Sequence, residues 1–518
     1  MPGDESLMGG SFRWQNIFTV SGATLLSRLL GLARDSLTAT WLGLGPAANA
    51  FLFAFAVPNL FRRLLGEGAL SSALIPVLTR QWDSGGPQAG FRLVNQTMSR
   101  GGLLMLLAMI ALLIVYSSCL LGLPEQPGDP LRQQWRLGLS LGMLLVPYLG
   151  MVCLAAVFAA ALNVLGRFAI PALTAVWLNL LLIAALALGG AVAGLAPGEL
   201  VWWVACGALL GGLAQLLAPA VALWRLGWRP ALDFAGSAGI EETRTLFLPA
   251  VYGAAVGQLN VLIARLAGFL LNTQALTALY LANRLVELPL GLFALAITTV
   301  AFPALSRAAA AKGAGASAQF FEARRSGLGL IFALMLPATV GLMVLAEPII
   351  AALFGWGRFE AGDIAVTFPL LQIFALALPA YALATFEVRV CHAKHDMRTP
   401  LRWAGHCLWV NLVLTVLLGP LFGAAGLAWA NVVSAWTQAL GLLGHSGGLR
   451  GLGGPLAKVG AACAAMGVGC VLLADFLMQA SAWVKLIATI PSGAGLYLLL
   501  LMAMRYPYLR DIRQGKGS

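Results

Sequence analysis

The chain is a succession of apolar runs, each about as long as a bilayer's hydrocarbon core is thick, and this constrains its fold more than any other feature. A helix needs about 20 predominantly apolar residues to cross. Such runs lie near residues 15 to 42, 47 to 66, 100 to 122, 137 to 162, 171 to 194, 199 to 224 and 245 to 271. Seven more lie near 277 to 304, 326 to 346, 363 to 390, 401 to 420, 424 to 444, 455 to 478 and 483 to 504. Stretches such as Val176 to Leu188 stay apolar where a β-barrel strand would alternate at every second residue. Only 10% of the residues are charged, against about 25% in a soluble domain. No stretch between runs is long enough to fold as a soluble catalytic domain. The expected fold is an all-α polytopic membrane protein of about 14 transmembrane helices.

The net charge of +12 would suggest nucleic acid in a soluble chain, but its distribution here reads as topology. With the N-terminus inside, the inner loops and tail collect the Lys and Arg residues. The outer loops hold only Arg132, Arg136, Arg358 and Lys485, an asymmetry of about five to one. Both termini are therefore expected in the cytoplasm of a bacterial cell, the chain lying in its inner membrane, with no nucleic acid partner. The seven cysteines lie mostly within apolar runs (Cys119, Cys153, Cys206, Cys463, Cys470) and read as free thiols. Cys391 and Cys407 sit near His392, His395 and His406 without the spacing of a zinc site. His392 and His395 read as part of a solvated cytoplasmic turn, and no metal or other cofactor is expected. No phosphate-binding Gly-x-x-x-x-Gly-Lys-[Ser/Thr] loop and no catalytic set occurs, so the chain reads as a transporter rather than an enzyme or an ATPase. The first apolar run is interrupted by Arg28 and Arg34 and precedes no cleavage site, which argues against a signal peptide.

The segment from Ala69 to Arg80 recurs 227 residues on as Ala296 to Arg307, with Pro-x-Leu-[Ser/Thr]-Arg in both. Trp177-x-Asn179-Leu180 recurs as Trp409-x-Asn411-Leu412, and Pro147 as Pro379. An even number of helices separates the copies, so both halves face the same way, as in transporters with parallel repeats. Two six-helix lobes related by a pseudo-two-fold along the membrane normal are expected, residues 1–226 (spans 1 to 6) and 227–450 (spans 7 to 12). Residues 451–518, with spans 13 and 14 and the tail, have no repeat partner.

Basic side chains within the spans carry the chemistry. An Arg at the bilayer centre costs about 2.5 to 3.5 kcal/mol on insertion scales, so Arg28, Arg34, Arg62 and Arg284 facing lipid would together cost about 10 to 14 kcal/mol. They are expected to line a hydrated cavity. Arg28 and Arg34 are about 120° apart around one helix, Asn59 shares a face with Arg62, and Arg284 shares one with Glu287. Arg63 with Glu67 and Arg284 with Glu287 also read as neutralising pairs, and Arg63 and Arg389 as snorkelling side chains. Arg265 stays unassigned. Clustered guanidiniums suit a multivalent oxygen anion, a phosphate or diphosphate. A cation exporter would need carboxylates without nearby Arg, and Asp35, Glu67 and Glu287 all lie beside one, which leaves Glu387.

The run Ser27-Arg28-Leu29-Leu30-Gly31-Leu32-Ala33-Arg34-Asp35 resembles the opening signature of the bacterial lipid II flippases, the MurJ/MviN family of the multidrug/oligosaccharidyl-lipid/polysaccharide exporter superfamily. Pro58-Asn59-Leu60-x-Arg62-Arg63 with Glu67, Ala282-Asn283-Arg284-Leu285-x-Glu287, Phe354-Gly355 and Asp396-x-x-Thr399-Pro400 resemble it further. The resemblance implies a flippase that moves lipid II, an undecaprenyl-diphosphate glycopeptide, to the outer leaflet for peptidoglycan and cell wall biogenesis and cell shape. It implies a cationic cavity in which Arg28, Arg34, Arg62 and Arg284 bind the diphosphate, supported by Asp35, Asn59, Glu67 and Glu287. It also implies a tail groove on spans 13 and 14, where Gly460, Ala464 and Gly467 offer a shallow face or, equally, close helix packing, and transient contact with cell-wall synthesis machinery. Asn49 and Asn283 stand where members of that family carry Asp, which calls a coupling role at those positions into question. Some members bind sodium with acidic residues of spans 7 and 11, which hold none here, so no sodium site is expected. The alternatives are a flippase for another undecaprenyl-diphosphate oligosaccharide and a cation-coupled multidrug exporter.

Overall fold

The computed structural model describes residues 14–126, 128–311 and 315–508, without the side chains of a few, Glu67 among them. Every regular element among the described residues is helical. By contact the chain divides into two compact units, Met1–Gln274 and Ala275–Ser518.

The first unit contains α1 (Trp14–Leu42), α2 (Pro46–Phe61), α3 (Leu70–Leu121), α4 (Pro130–Val164), the short α5 (Ala169–Ala172), α6 (Thr174–Leu186), α7 (Pro197–Arg225) and α8 (Ala238–Leu271). The second contains α9 (Ala275–Pro289), α10 (Leu295–Ala310), α11 (Ala316–Val344), α12 (Ala346–Phe354), α13 (Ala361–Ala375), α14 (Leu378–Ala393), α15 (Arg398–His445), α16 (Gly453–Phe476) and α17 (Ala482–Ala503). Ten helices among the described residues are long and apolar enough to cross a membrane, or eleven with the bent α8. About fourteen spans are compatible with this. α15 holds two of the expected spans, α1 carries three charges, and α2 reaches span length only through its π-helical continuation Arg62–Ala69.

Local chemistry sets the helix starts. Pro46, Pro130 and Pro197 open α2, α4 and α7, where the missing N–H costs nothing. Asp129 caps α4 by accepting from the N–H groups of Leu131 and Arg132 at 3.0 and 3.3 Å. The motif Asp396-x-x-Thr399-Pro400 has the same use, since Asp396 accepts from the backbone N–H of Arg398 and of Thr399, both at 3.0 Å, where α15 begins.

Residues 67–99, expected as a loop, are almost entirely helical. The chain reverses at Gly86 (φ 68°, ψ −169°), and the break is compact enough that a Cβ on Gly90 would lie 2.1 Å from the Trp82 ring. Gly423 (φ 61°, ψ −139°) divides α15 in the same way, at the expected gap between spans 11 and 12.

In the first unit α4 packs against α2, α3 and α7, burying Leu141, Leu145 and Tyr148 completely with Leu186, Leu200 and Val201. Leaving water does not drive association between helices already in lipid, so close backbone approach matters most there. Gly207, Gly211 and Gly212 of α7 allow it; a Cβ at Gly212 would lie 2.6 Å from the Tyr148 ring. α8, which the repeat assigns to the second lobe, is held within the first unit by polar bonds. Asn49 donates to the Asn272 carbonyl at 3.1 Å and to Gln134 at 3.2 Å, and Gln134 donates to the Phe269 carbonyl at 3.1 Å. Arg80 pairs with Glu242 near the other end. The repeat records ancestry, and the contacts record packing.

In the second unit α16 and α17 pack on each other and on α11 and α12. Tyr497 and Tyr506 donate to the Ala333 and Gly329 carbonyls of α11 at 2.7 and 2.8 Å.

Gly86→Val should destabilise the protein by about 1 to 3 kcal/mol, because that backbone region is close to glycine-only. Gly101→Ala, in the same helix with nothing within 4 Å, should be neutral or stabilising. Thermal unfolding in detergent measures both, and equal effects would refute the turn assignment. Thr399, by hydroxyl and backbone N–H, then the Arg398 N–H and His445 hold the Asp396 carboxyl below the usual carboxylate range. Its capping contribution is complete above that range and lost as pH falls through the depressed value. Asp396→Asn should therefore lower the melting temperature at neutral pH, and the difference should shrink on acidification; a difference that stays constant contradicts the charge assignment.

Candidate anion-binding site

Of the eight side chains expected at the site, the structure describes seven; Glu67 lies outside the described side chains. In the first unit Arg34 is the most elaborately held. Its Nε and Nη2 donate to one oxygen of the buried Asp35 at 3.1 and 2.6 Å, and its Nη1 donates to Oδ1 of Asn179 on α6 at 3.1 Å. Asn179 in turn donates to the Ser27 carbonyl, one residue before Arg28, at 3.1 Å. Arg28 is half-buried on α1, and no partner for its guanidinium appears among the described residues.

Arg62 begins the π-helical segment that continues α2, and its Nε and Nη2 both donate to Oδ1 of Asn59, at 3.1 and 3.0 Å. The expected shared face is thus a direct bond. π-helical turns are rare and tend to occur at functional sites. A cleft between this stretch and α8 is lined by Asn59, Arg63, Gln258 and Arg265 with apolar Ala56, Leu60, Val261 and Leu262. Among the described residues two guanidiniums and no carboxylate line it, which gives Arg265 a setting that sequence could not supply and places Arg63 on a cleft wall.

In the second unit Arg284 Nη1 donates to Glu287 Oε2 at 3.1 Å, and Asn283 donates to Oε1 of the same carboxylate at 3.3 Å. The neutralising-pair reading of Arg284 is therefore met in geometry, although the pair is only part-buried, with 23% and 40% of the two side chains exposed. A π-helical turn, Leu290–Ala294, also follows α9 directly.

Asn49 and Asn283 have amide bonds of their own, to the end of α8 and to Glu287, that an ionised Asp could not donate. Arg324, which falls in the gap between the expected spans 277 to 304 and 326 to 346, is buried, because α11 begins at Ala316, ten residues before the apolar run. Its Nε and Nη2 lie 2.9 and 2.6 Å from Glu387 Oε1, and its Nη1 donates to the Gly448 carbonyl at 3.0 Å. Glu387, the carboxylate that the sequence left for a cation exporter, is thus paired with an Arg 63 residues away. No group of three or more His, Cys, Asp and Glu residues able to hold a metal occurs among the described residues.

Sequence reasoning missed Asn179, the Arg63–Arg265 cleft and the Arg324–Glu387 pair. Asn179 left a signal, its recurrence with Trp177 and Leu180 in the second copy; the other two join residues far apart in the chain.

Comparisons with known proteins agree with this architecture. A family model described as lipid II flippase MurJ matches residues 38–490. The probable lipid II flippase MurJ of Vibrio cholerae serotype O1 is 34% identical over 427 residues, 80% of this chain and 79% of that protein. The probable lipid II flippase MurJ of Rhizobium meliloti is 35% identical over 434 residues, covering 82% and 78%. A solved structure of lipid II flippase MurJ in an inward closed conformation shares the fold with a TM-score of 0.80 at 23% identity, covering 96% of this chain and 99% of that one. An inward-facing MATE family multidrug resistance transporter of the MOP superfamily shares it more loosely, with a TM-score of 0.63 at 14% identity over 83% and 97%. On the family model and on relatives above 30% identity across about four-fifths of their length, the chain belongs to the lipid II flippase MurJ family.

Proposed function

We propose that the protein translocates lipid II from the inner to the outer leaflet of the bacterial cytoplasmic membrane by alternating access, with both termini in the cytoplasm. The observation that carries this reading is the way the arginines are held. Arg34 and Arg62 are oriented by the neutral carboxamides of Asn179 and Asn59, Arg34 is paired with Asp35 as well, and no counter-charge to Arg28 appears among the described residues. A diphosphate offers these guanidiniums anionic oxygens in matching geometry. The Arg284–Glu287 pair is open enough to exchange its carboxylate for a phosphate oxygen or to orient on the sugar. The chemistry is binding and release, with no bond made or broken. A cation-exporting reading loses its remaining support, since Glu387 is neutralised by Arg324.

The repeat supports treating residues 1–226 and 227–450 as the lobes that alternate, with 451–518 serving the lipid tail. A tail of about 55 carbons would lose about 0.8 kcal/mol per CH₂ on entering a hydrated cavity. It stays in lipid along α16 and α17, where Val468, Leu472, Ile487 and Leu499 are exposed. Gly460 and Ala464 share that exposure. Gly467 does not, for a Cβ there would lie 3.0 Å from Val340 of α11, so it serves packing. Delivery of lipid II outside implies transient contact with cell-wall synthesis machinery.

Replacing Arg28, Arg34, Arg62 or Arg284 by Ala should lower lipid II translocation in reconstituted vesicles about 30-fold or more, the equivalent of about 2 kcal/mol, with normal insertion. Lys should rescue only in part. Normal flipping by all four Ala variants would refute the anion site. Ala464→Trp should reduce transport of the native lipid more than binding of a short-chain analogue; equal losses would count against the groove.

A further inference from the structure

The geometry points to Asn179 as a positioning residue for both arginines of α1, acting on the diphosphate through Arg34; this rests on the lipid II reading above. Asn179 belongs to α6 and is 6% exposed, so its carboxamide has no water to satisfy it and depends on protein partners. It finds two, both on α1. The Oδ1 accepts from Arg34 Nη1 and the Nδ2 donates to the Ser27 carbonyl, each at 3.1 Å. One amide therefore grips the backbone beside Arg28 and the guanidinium of Arg34, which lie six residues apart on the same helix.

The division of labour with Asp35 gives this bond its meaning. Asp35 neighbours Arg34 in sequence, so its two bonds to Nε and Nη2 move with α1 and cannot fix the guanidinium relative to the rest of the unit. Asn179 sits 145 residues away on another helix and supplies that fixed reference. It also does so without charge. A carboxylate at position 179 would hold Arg34 as well, but with Asp35 it would leave the group net negative and repel a phosphate. An aliphatic residue of the same size would keep the packing and remove the guanidinium's bond to α6. The amide orients the guanidinium without adding negative charge to the pair. The motif Trp177-x-Asn179-Leu180, which sequence analysis singled out as part of the repeat, acquires a function in this copy through the middle residue alone, since Trp177 is exposed.

The test is lipid II affinity of the full-length protein in lipid nanodiscs, with the melting temperature recorded beside it. Asn179→Leu should weaken lipid II binding about tenfold, the usual worth of a bond to a charged group. In an Arg34→Ala background the same substitution should cause no further loss of affinity, because its effect passes through that side chain. Unchanged affinity in the single variant, or additive losses in the double variant, would overturn the inference, the second outcome marking a merely structural residue. If Asn179→Leu does not accumulate in the membrane, Asn179→Asp takes its place: it keeps size and acceptor, and should also bind about tenfold more weakly, from charge alone. Wild-type affinity in that variant would overturn the inference. Failure of the wild-type protein to bind lipid II would instead defeat the functional reading itself, and this inference with it.

Discussion

A guanidinium inside an apolar helical unit has to be held by something other than water, and how it is held decides what it can do. The bilayer offers neither hydration nor hydrogen bonds, so every polar group at that depth needs a protein, ligand or cavity-water partner. This chain uses two kinds of partner. Arg324 is closed off by Glu387 at 2.6 Å with both side chains buried, and serves structure. Arg34 and Arg62 are also oriented by the asparagine side chains of Asn179 and Asn59, which add no negative charge, although Arg34 is paired with Asp35 as well. Exposure separates them: the Arg324 and Glu387 side chains are 3% and 0% exposed, whereas Arg34 and Arg284 keep 17% and 23% of their side chains open to an anionic ligand.

The scaffold that makes this possible gets little cohesion from hydrophobicity, since lipid tails are as apolar as Leu. Its substitutes are close approach and buried amides. Gly207 and Gly212 let α7 meet its neighbours, Gly327 admits the Phe386 ring beside the Arg324–Glu387 pair, and Gly493 admits the Cys470 sulfur between α16 and α17. The amides of Asn49 and Gln134 close the end of α8, whose last carbonyls have no helical partner of their own. Of the π-helical stretches, one begins at Arg62 and another follows the helix that carries Arg284, and the repeat offset places these two at corresponding points of the two copies.

Much of this was legible in the sequence, because spans in lipid are governed by length and apolarity, which are local properties. The Asn59–Arg62 and Arg284–Glu287 contacts were readable from helical spacing for the same reason. Three kinds of feature were not. The helical extension over 70–99 lies beyond the apolar core, where hydropathy carries no signal for helix. The burial of Arg324 depends on a helix start that no capping residue announces, as Gly315 offers no side chain. The bonds of Asn179 and Asn49 join residues far apart in the chain, and a lone Asn in an apolar run does not reveal its partner. Gly467 illustrates the remaining ambiguity, since a small residue on a helix suits a groove and a packing seam equally until its neighbour, here Val340, is seen.

The central claim is directional movement of a diphosphate-linked precursor across the membrane, and leaflet-specific labelling after depletion of this protein in its native cell tests it most directly. The account predicts that lipid II accumulates in the inner leaflet, inaccessible to an external glycan-specific probe, and that re-expression of the wild-type chain restores access. Delivery of lipid II to the outer leaflet at the normal rate in depleted cells lacking any other flippase would contradict it.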